Sequence, residues 1–317
     1  MPESTTRRDS LTGLARIASA ALIWGSIPLV LRATDGASLI KVFYRVFFAG
    51  IVLAAYMAAT GRLGEITSLP RRKVLQLMGQ GAILCLNWVL FLTALDMTNV
   101  ATAELLGYTG PIFVAVLAPL VTGEPFDRRI VGPLALALAG LAVILVPQGL
   151  AVSNGREMIG AGLAFASALT YATLLLRSKK ILKGVSGSAL MVVEYATASL
   201  LLSPFVVWLY LRGDGPTGMS SYGALLVLGV VQTAFAGILF LGGLRRVRTD
   251  HAAILTYAEP VSAVVLAAIF LPGESLTLAT IVGGALVVCG GALVARIDAR
   301  GSGFGPEVPV ASPEDVA

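Results

Sequence analysis

Four ionisable side chains stand inside long apolar stretches of the sequence: Arg45, Glu104, Glu194 and Glu259. A carboxyl group in such surroundings can bind and release a proton, and a guanidinium can hold an anion or pair with a carboxylate. A charge at the centre of a hydrocarbon layer costs roughly 3 kcal/mol on the insertion scale, so each group requires a partner or water. These four residues are therefore the first candidates for binding and coupling chemistry.

The positions of the four groups along their stretches indicate how deep they lie. At a helical rise of ~1.5 Å per residue, Arg45 and Glu104 lie roughly 10 Å from one face, Glu194 lies roughly 10 Å from the other, and Glu259 is near the middle. Glu259 is the first choice for a proton carrier and Glu194 the second. Structural alternatives remain open: an Arg45–Glu104 pair, a hydroxyl that caps Glu194, and a Glu259 that satisfies a break in its own helix.

Three prolines interrupt apolar stretches: Pro28, Pro111 and Pro260. Proline has no backbone N–H, so each one frees the carbonyl of the residue four positions earlier. A bare carbonyl is costly in hydrocarbon, and such breaks are expected to face neighbouring helices or a wet cavity. We interpret the three prolines as bends for gating, with plain packing kinks as the alternative.

Aromatic and amide side chains in the same stretches are candidates to line a cavity. The predicted substrate-binding residues are Trp24, Asn87, Glu104, Tyr108, Tyr171, Gln232 and Tyr257. Aromatic residues in membrane spans also serve as belt or packing residues, and mid-helix amides also hold helices together. The only histidine, His251, is expected in a surface or capping role.

The composition excludes a soluble fold. Charged residues make up 13% of the chain and apolar residues 56%, with a mean hydropathy of +0.86, so the solvent must be a bilayer. The net charge is +5, and the basic residues lie in short runs between the apolar stretches. No nucleic-acid-binding module is visible. Cys85 and Cys289 form no CxxC motif, and no catalytic or metal-binding motif occurs, so we expect no enzyme, cofactor or metal site.

Apolar stretches long enough to cross a bilayer recur ten times, which predicts an all-α polytopic membrane protein. We place them near 14–32, 38–59, 73–95, 99–121, 129–147, 158–177, 187–211, 221–244, 249–271 and 277–296. With the N-terminus inside, 18 Lys and Arg fall on the cytoplasmic side and four on the other, so both termini are predicted to be cytoplasmic, in the cell membrane. Residues 1–13 are a cytoplasmic tail whose first ten residues are polar and expected to be disordered, and 301–317 are expected to be a disordered cytoplasmic tail.

The sequence contains an internal duplication. Residues 91–118 and 240–267 superpose with a shift of 149 and share ten identities in 28 positions, including Tyr108 with Tyr257 and Pro111 with Pro260. The predicted repeats are 14–147 and 158–296, with five helices each. Five is odd, so the repeats must enter the membrane in opposite directions, a plan of secondary transporters that place the substrate between the halves. The same shift superposes Arg45 on Glu194.

The pattern resembles the drug/metabolite transporter superfamily, in its ten-helix EamA family, over roughly residues 14–296. The motifs that carry the resemblance are Trp24-Gly25-Ser26 with Pro28, Phe43-Tyr44-Arg45, Ala94-Leu95 followed by Ala103, Tyr108, Pro111 and Gly123-Glu124, and Leu244 followed by Ala252, Tyr257, Glu259-Pro260 and Gly273-Glu274. The resemblance implies alternating access through a central cavity and export of small amino acids or related metabolites. The chain lacks the carboxylate in the first helix that four-helix multidrug relatives use for proton coupling.

Three other functions remain as alternatives: efflux of amphipathic drugs, an intramembrane lipid-modifying enzyme, and a non-catalytic scaffold. The enzyme would require His, Asp or Ser clustered at one depth, and the matched helix breaks argue against the scaffold. The expected partners are a small-molecule substrate, the lipid bilayer and, in a coupled mechanism, protons, with no nucleic acid. The sequence is compatible with a monomer or a homodimer.

Overall fold

Ten apolar helical segments form the architecture of the protein. The structure is a computed structural model that describes residues 2–271 and 276–300, with side chains from 8 to 298. The segments, called spans 1 to 10 in chain order, are Arg8–Arg32, Ser38–Ala59, Arg71–Met97, Val100–Val121, Arg128–Gln148, Gly155–Ile181, Gly187–Leu211, Met219–Leu244, Thr249–Phe270 and Leu278–Asp298. Each is long and apolar enough to cross a membrane. The prediction of an all-α fold with ten spans is confirmed.

Five spans are continuous α-helices, and the others contain interruptions. Span 1 consists of the helices Pro2–Trp24 and Ile27–Arg32, span 4 of Val100–Gly107 and Gly110–Val121, and span 9 of Thr249–Leu255 and Ala258–Phe270. In span 5 the helix Val131–Leu145 lies between 3₁₀ turns at Arg128–Ile130 and Val146–Gln148. Span 8 contains a π-helix, Leu228–Phe235, between Met219–Val227 and Ala236–Leu244. A short helix, Gly64–Thr67, connects spans 2 and 3.

The beginning of the chain differs from the prediction. The backbone is helical from Pro2, and the Thr12 hydroxyl donates to the Arg8 carbonyl at 2.8 Å, so the predicted disorder is wrong for residues 2–10, while Met1 lies outside the described residues. No proline or glycine interrupts residues 3–12, and the helix of span 1 therefore continues beyond its apolar part. The second Gly-Glu motif, Gly273-Glu274, and the predicted tail at 301–317 lie outside the described residues.

Side-chain caps and glycines set several helix ends. Asn99, Asn154 and Ser186 each accept a hydrogen bond from the backbone N–H three residues later, which satisfies a donor of the first helical turn. Span 2 ends before Gly61, whose φ of +69° belongs to the left-handed region that residues with a Cβ avoid. These caps and this glycine end the helices at defined residues.

The packing partners of the spans exchange between the two halves of the chain. Span 1 packs on span 8, and its counterpart, span 6, packs on span 3. Span 9 packs on span 1, and likewise span 4 packs on span 6. Span 2 packs on span 7, and span 5 on span 10. The exchange relates each span to the one five positions away. It supports the division into repeats at 14–147 and 158–296, and the inverted orientation of these repeats stays a prediction.

Spans 5 and 10 form a separate pair that is held by close backbone contact. A Cβ added to Gly140 would lie 2.5 Å from the carbonyl oxygen of Gly283, and one added to Gly290 would lie 2.8 Å from that of Pro133. These separations are too short for any side chain, so the glycines allow the two helices to touch along their length. The remaining eight spans surround the centre of the molecule.

Candidate functional site

A cavity of about 610 Å³ lies between the two halves of the chain. It is lined by residues of spans 1 to 4 and 6 to 9, and the lining reaches Ser38, the first residue of span 2. For reference, the side of the protein where the chain begins is called the terminal face, and the other side, which carries Ser38, the distal face. The predicted residues that line the cavity are Trp24, Pro28, Arg45, Asn87, Glu104, Tyr108, Pro111, Tyr171, Glu194, Gln232 and Glu259.

Breaks in three helices converge on this cavity. The helices of spans 1 and 4 stop at Trp24 and Gly107, four residues before Pro28 and Pro111. In span 9 the break begins at Thr256, four residues before the third proline. The positions agree with the loss of the proline N–H donor as the cause. Pro28 and Pro111 line the cavity.

The third proline, Pro260, lies elsewhere. It is buried and does not line the cavity. The carbonyl of Thr256 that it frees accepts a hydrogen bond from the backbone N–H of Glu259 at 2.9 Å. Glu259 therefore does satisfy a break in its own helix, but with its backbone, and its carboxylate stays available to the cavity.

Arg45 is held by groups of other spans. Its Nε donates to Thr233 Oγ1 at 2.8 Å, and its guanidinium carbon lies 4.7 Å from the centre of the Trp88 ring. The carboxylate that acts on its charge is Glu259. The described contacts contain no ion pair between Arg45 and Glu104, so that prediction is wrong. The guanidinium is turned towards spans 3 and 8 instead.

Glu104 and Glu259 belong to one electrostatic cluster. Glu259 interacts with Arg45, with Glu104 and with the side chain of Tyr108. Glu104 accepts no hydrogen bond from a described side chain, and it shares the cavity with the other three groups. The site therefore presents a guanidinium and two carboxylates side by side, which can hold the opposite charges of a zwitterion.

Glu194 lies apart from this cluster. It is 8% exposed and lines the cavity, and no described hydroxyl or cation contacts its carboxylate. The hydroxyl cap expected as an alternative is therefore absent from the described contacts. The main chain of Glu194 touches span 3, where a Cβ on Gly81 would lie 2.5 Å from its carbonyl oxygen. Arg45 is its counterpart in the duplication. A Cβ on Gly229 of span 8 would lie 3.1 Å from the carbonyl oxygen of Arg45.

The two tyrosines that the duplication equates meet each other. The ring centres of Tyr108 and Tyr257 are 5.9 Å apart, and the Tyr257 hydroxyl donates to the Tyr108 carbonyl at 2.6 Å. Tyr257 is 0% exposed and does not line the cavity, and its contact with substrate stays a prediction. Its hydrogen bond to Tyr108 joins the two halves, whereas Tyr108 and Tyr171 reach the cavity.

The predicted amides use their N–H groups to join helices. Asn87 Nδ2 donates to the Ser167 carbonyl at 2.7 Å and to Thr170 Oγ1 at 2.8 Å. Gln232 Nε2 donates to Ser26 Oγ at 3.1 Å, and its backbone carbonyl accepts from Trp24 Nε1 at 2.8 Å. Sequence reasoning did not foresee that Gln232 stands in a π-helix, where carbonyls are displaced from regular pairing.

Sequence reasoning also missed a buried polar network between spans 3 and 6. Gln80 is 0% exposed and donates to the Leu174 carbonyl and to Ser178 Oγ, both at 2.9 Å, while Arg177 Nε donates to its side-chain oxygen at 3.0 Å. Gln80 lies near the terminal end of span 3, and the apolar lining ends at Ser178. An amide within an apolar helix was a signal that could have identified this network.

Contacts between the halves close the terminal face below the cavity. Lys179 Nζ donates to the carbonyls of Leu244 and Val247 at 2.7 and 2.6 Å and lies 3.8 Å from Glu124 Oε1. Glu124 Oε2 accepts from the backbone N–H of Thr249 at 2.9 Å. Glu124 belongs to the Gly-Glu motif of the first repeat, and it joins that repeat to the second.

His251 lies within the same face. It is 1% exposed, and its Nδ1 lies 2.7 Å from Asp298 Oδ1, so the predicted surface or capping role is wrong. The start of span 9 packs against the end of span 10, and this packing buries the imidazole with the carboxylate. His251 connects spans 9 and 10 and does not reach the cavity.

Two carboxylates outside the spans join the halves through loops. On the distal face Asp35 accepts from the hydroxyls of Ser221 and Thr217, and these bonds lower its pKa to about 2. On the terminal face, burial of Glu65 is outweighed by bonds from Arg62 and Ser186, and its pKa is lowered. Both loop contacts are therefore complete at neutral pH and are lost only as the pH falls through these lowered values.

The EamA-like transporter family matches residues 11–146 and 158–296. An uncharacterized transporter of Archaeoglobus fulgidus is 30% identical over 286 residues, which cover 88% of this chain and 94% of that protein. YxxF of Bacillus subtilis, also named an uncharacterized transporter, is 24% identical over 84% of each chain. Protein RarD of Salmonella typhimurium is 25% identical, over 85% of this chain and 88% of its own.

A solved crystal structure shares the fold. It superposes with a TM-score of 0.74 at 22% identity and covers 92% of this chain and 99% of its own. The two matched segments of the family coincide with the repeats predicted from the internal duplication. The family match thus extends over both halves and all eight spans that surround the cavity, and the chain belongs to the EamA-like transporter family.

Proposed function

We propose that the protein is a secondary transporter that exports small amino acids or related metabolites by alternating access through the central cavity. The observation that carries the proposal is the cluster of Arg45, Glu104 and Glu259 in one cavity that both repeats line. An α-carboxylate fits Arg45 and an α-ammonium fits the two carboxylates. Relatives named as transporters favour transport over the enzyme alternative.

The helix breaks provide the bends that alternating access requires. The three broken spans contribute cavity residues at or beside their breaks. Pro28, Pro111 and Pro260 are proposed to gate the cavity, with Pro260 acting from a buried position. The lining reaches the distal face and the terminal face is closed by Glu124 and Lys179, which supports a cavity that faces the distal side in this structure.

The test is counterflow of labelled L-alanine in proteoliposomes. Unlabelled alanine should compete, whereas propionate and ethylamine, which each lack one charged group, should compete at least about tenfold less well, because a hydrogen bond to a charged group contributes about 1.5–3 kcal/mol. Arg45→Gln should abolish counterflow. Arg156→Gln, a change at the distal surface, should leave it intact. Equal competition by propionate, ethylamine and alanine would contradict recognition of a zwitterion.

Efflux of amphipathic drugs is the second candidate. The side chains that favour it are the aromatic residues of the wall, among them Trp24, Trp88 and Phe240. A transporter of this kind would move amphipathic dyes and would not catalyse alanine counterflow. The same proteoliposomes, loaded with a cationic dye, distinguish the two functions.

A further inference from the structure

Two acceptor groups of the cavity have no donor among the described residues. Gln232 is 3% exposed, and its Oε1 is buried without a hydrogen-bond partner. Glu194 is 8% exposed, and its carboxylate likewise contacts no described hydroxyl, amide or cation. Both residues line the cavity. Buried acceptors without donors are costly, and their position next to an open cavity indicates that a ligand provides the missing donors.

The charges of the lining are not balanced. Its cations are Lys41 and Arg45, and its carboxylates are Glu104, Glu194 and Glu259. Arg45 interacts with Glu259, and Lys41 Nζ donates to the Thr34 carbonyl near the distal face at 3.0 Å. Glu194 is the carboxylate farthest along the cavity towards the terminal face that has no described cation beside it. Glu104 and Glu194 therefore have no described cation beside them; Glu104 belongs to the cluster assigned to the α-ammonium, and Glu194 remains to be matched by a ligand.

The depth of Glu194 relative to Arg45 gives the length of that ligand. A Cβ on Gly50 would lie 3.5 Å from the Cβ of Tyr195, so spans 2 and 7 are level at these two residues. Arg45 lies five residues from this level towards the distal face, and Glu194 lies one residue towards the terminal face. At ~1.5 Å per residue the two are separated by roughly 9 Å in depth.

We infer that the cavity takes amino acids with a basic side chain, held with the α-carboxylate towards Arg45 and the side-chain cation on Glu194. This inference rests on the proposed function and assigns its substrate class. In lysine, five bonds of ~1.5 Å in zigzag separate Cα from the terminal nitrogen by about 6 Å. A charge-assisted hydrogen bond of ~2.8 Å completes the distance to Glu194.

The aliphatic part of such a ligand would lie along apolar walls. Met191, Tyr195 and Leu175 line the cavity on the same side as Glu194. A basic side chain buries its methylene groups against surfaces of this kind while the charged end stays paired. The site thus separates two recognition tasks, a zwitterion near Arg45 and a cation at Glu194.

The experiment measures competition for counterflow of labelled alanine by L-lysine and by L-2-aminoheptanoate, in which a methyl group replaces the terminal ammonium. Lysine should compete at least about tenfold better, which corresponds to about 1.4 kcal/mol. In Glu194→Gln the ratio should fall to near one, and a thermal unfolding curve in detergent that matches the unsubstituted protein shows that the variant is folded. Glu157→Gln, a change at a half-buried carboxylate at the start of span 6 and outside the cavity lining, should keep the preference.

Three outcomes overturn the inference. The first is equal competition by the two compounds in the unsubstituted protein, and the second is a lysine preference that survives in a folded Glu194→Gln protein. The third combines two results: the unsubstituted protein shows no lysine preference, and Glu194→Gln loses the response to a pH gradient. That combination would assign Glu194 to a proton. In each of these cases alanine counterflow persists and the proposed function stands. Absence of both alanine and lysine transport would overturn the proposed function and the inference together.

Discussion

Glu259 is placed where a change in its protonation would alter the whole cluster, because Arg45, Glu104 and Tyr108 all interact with it. It also lies next to a helix break, so a change in charge there acts on a bend. In Glu259→Gln, shape and hydrogen bonding are kept and the charge change is removed. We expect transport to lose its response to a pH gradient while substrate exchange partly continues.

The measurement for Glu259 is uptake into proteoliposomes with and without an imposed pH gradient. Asp96→Asn, which alters a carboxylate at the distal end of span 3, serves as the matched control and should keep the response. A pH-gradient response that survives in well-folded Glu259→Gln would show that Glu259 does not carry the proton.

The environment of Arg45 gives a second prediction at this scale. Because Arg45 Nε donates to Thr233 Oγ1, the substitutions Arg45→Met and Thr233→Val should be coupled by about 1–3 kcal/mol in a double-mutant cycle of detergent stability. Arg45→Met and Glu104→Gln remove groups that have no described direct contact and share only Glu259, so their coupling should be smaller than that of the first pair. Strong coupling in the second cycle, with none in the first, would restore the pair that the sequence predicted.

At the scale of residues, the sequence was informative about which side chains enter the cavity and uninformative about their partners. Arg45, Glu104 and Glu259 could be identified because ionisable groups are rare in apolar helices. The partner of Arg45 depends on how spans 2, 3 and 8 are rotated about their axes, which no local pattern encodes. His251 was misplaced for the same reason, since only the packing of span 10 reveals that it is buried.

At the scale of elements, the break in span 1 is supported by a close contact with span 9. A Cβ on Gly25 would lie 2.8 Å from the carbonyl oxygen of Glu259 and 2.8 Å from the backbone nitrogen of Ala263. Backbone atoms cannot yield as a flexible side chain can, so Gly25→Ala should separate the two spans and lower stability by about 1–3 kcal/mol.

The measurement for Gly25→Ala is thermal unfolding in detergent, with Gly162→Ala as the control. Gly162 is helical, and an added Cβ there would meet nothing within 4 Å, so alanine should be neutral or slightly stabilising by its higher helix propensity. Equal stability of the two variants would show that span 1 can move away from span 9 without cost.

The elements themselves were largely predictable. Hydropathy located the spans because a bilayer requires about 20 apolar residues of helix, and the prolines located three breaks because each removes one donor. The π-helix in span 8 was not predictable. It depends on the Thr233 hydroxyl, which bonds to the Leu228 carbonyl, and on contacts with spans 1 and 2 that are remote in sequence.

At the scale of the whole molecule, the duplication accounts for features that single helices cannot explain. It equates Tyr108 with Tyr257, and these two residues meet between the halves. It also equates Arg45 with Glu194, and a glycine of a neighbouring helix lies close to the carbonyl oxygen of each. Repeats could be recognised from sequence because the shift of 149 preserves rare residue types. The closure of the terminal face could not be recognised from sequence, because it depends on which of two arrangements of the halves the chain adopts.

The excess of Lys and Arg on one side gives a prediction of orientation. With 18 on the terminal side and four on the distal side, single cysteines at 71–73 and 179–183 should react only from the cytoplasm. Cysteines at 154–156 and 213–215 should react only from outside, with an impermeant maleimide on intact cells as the reagent. A loop labelled from the wrong side would contradict the orientation.

Alternating access requires the terminal face to open, and Glu124 is positioned to oppose this opening. Its carboxylate belongs to the first repeat and contacts Thr249 and Lys179 of the second, while Lys179 also holds the carbonyls of Leu244 and Val247. Glu124→Gln keeps the shape but removes the charge that attracts Lys179. A loss of about 1 kcal/mol would shift the balance towards the terminal-open arrangement by about fivefold.

The shift can be measured with Leu241→Cys, a cavity position near the terminal face, in a protein with Cys85→Ala and Cys289→Ala. Labelling of this cysteine from the terminal side should become several times faster when Glu124→Gln is added. Asp9→Asn, which removes an exposed carboxylate at the start of span 1 on the same face, should leave the rate unchanged. If Glu124→Gln also leaves the rate unchanged, the terminal face is closed by packing of the apolar spans and not by this contact.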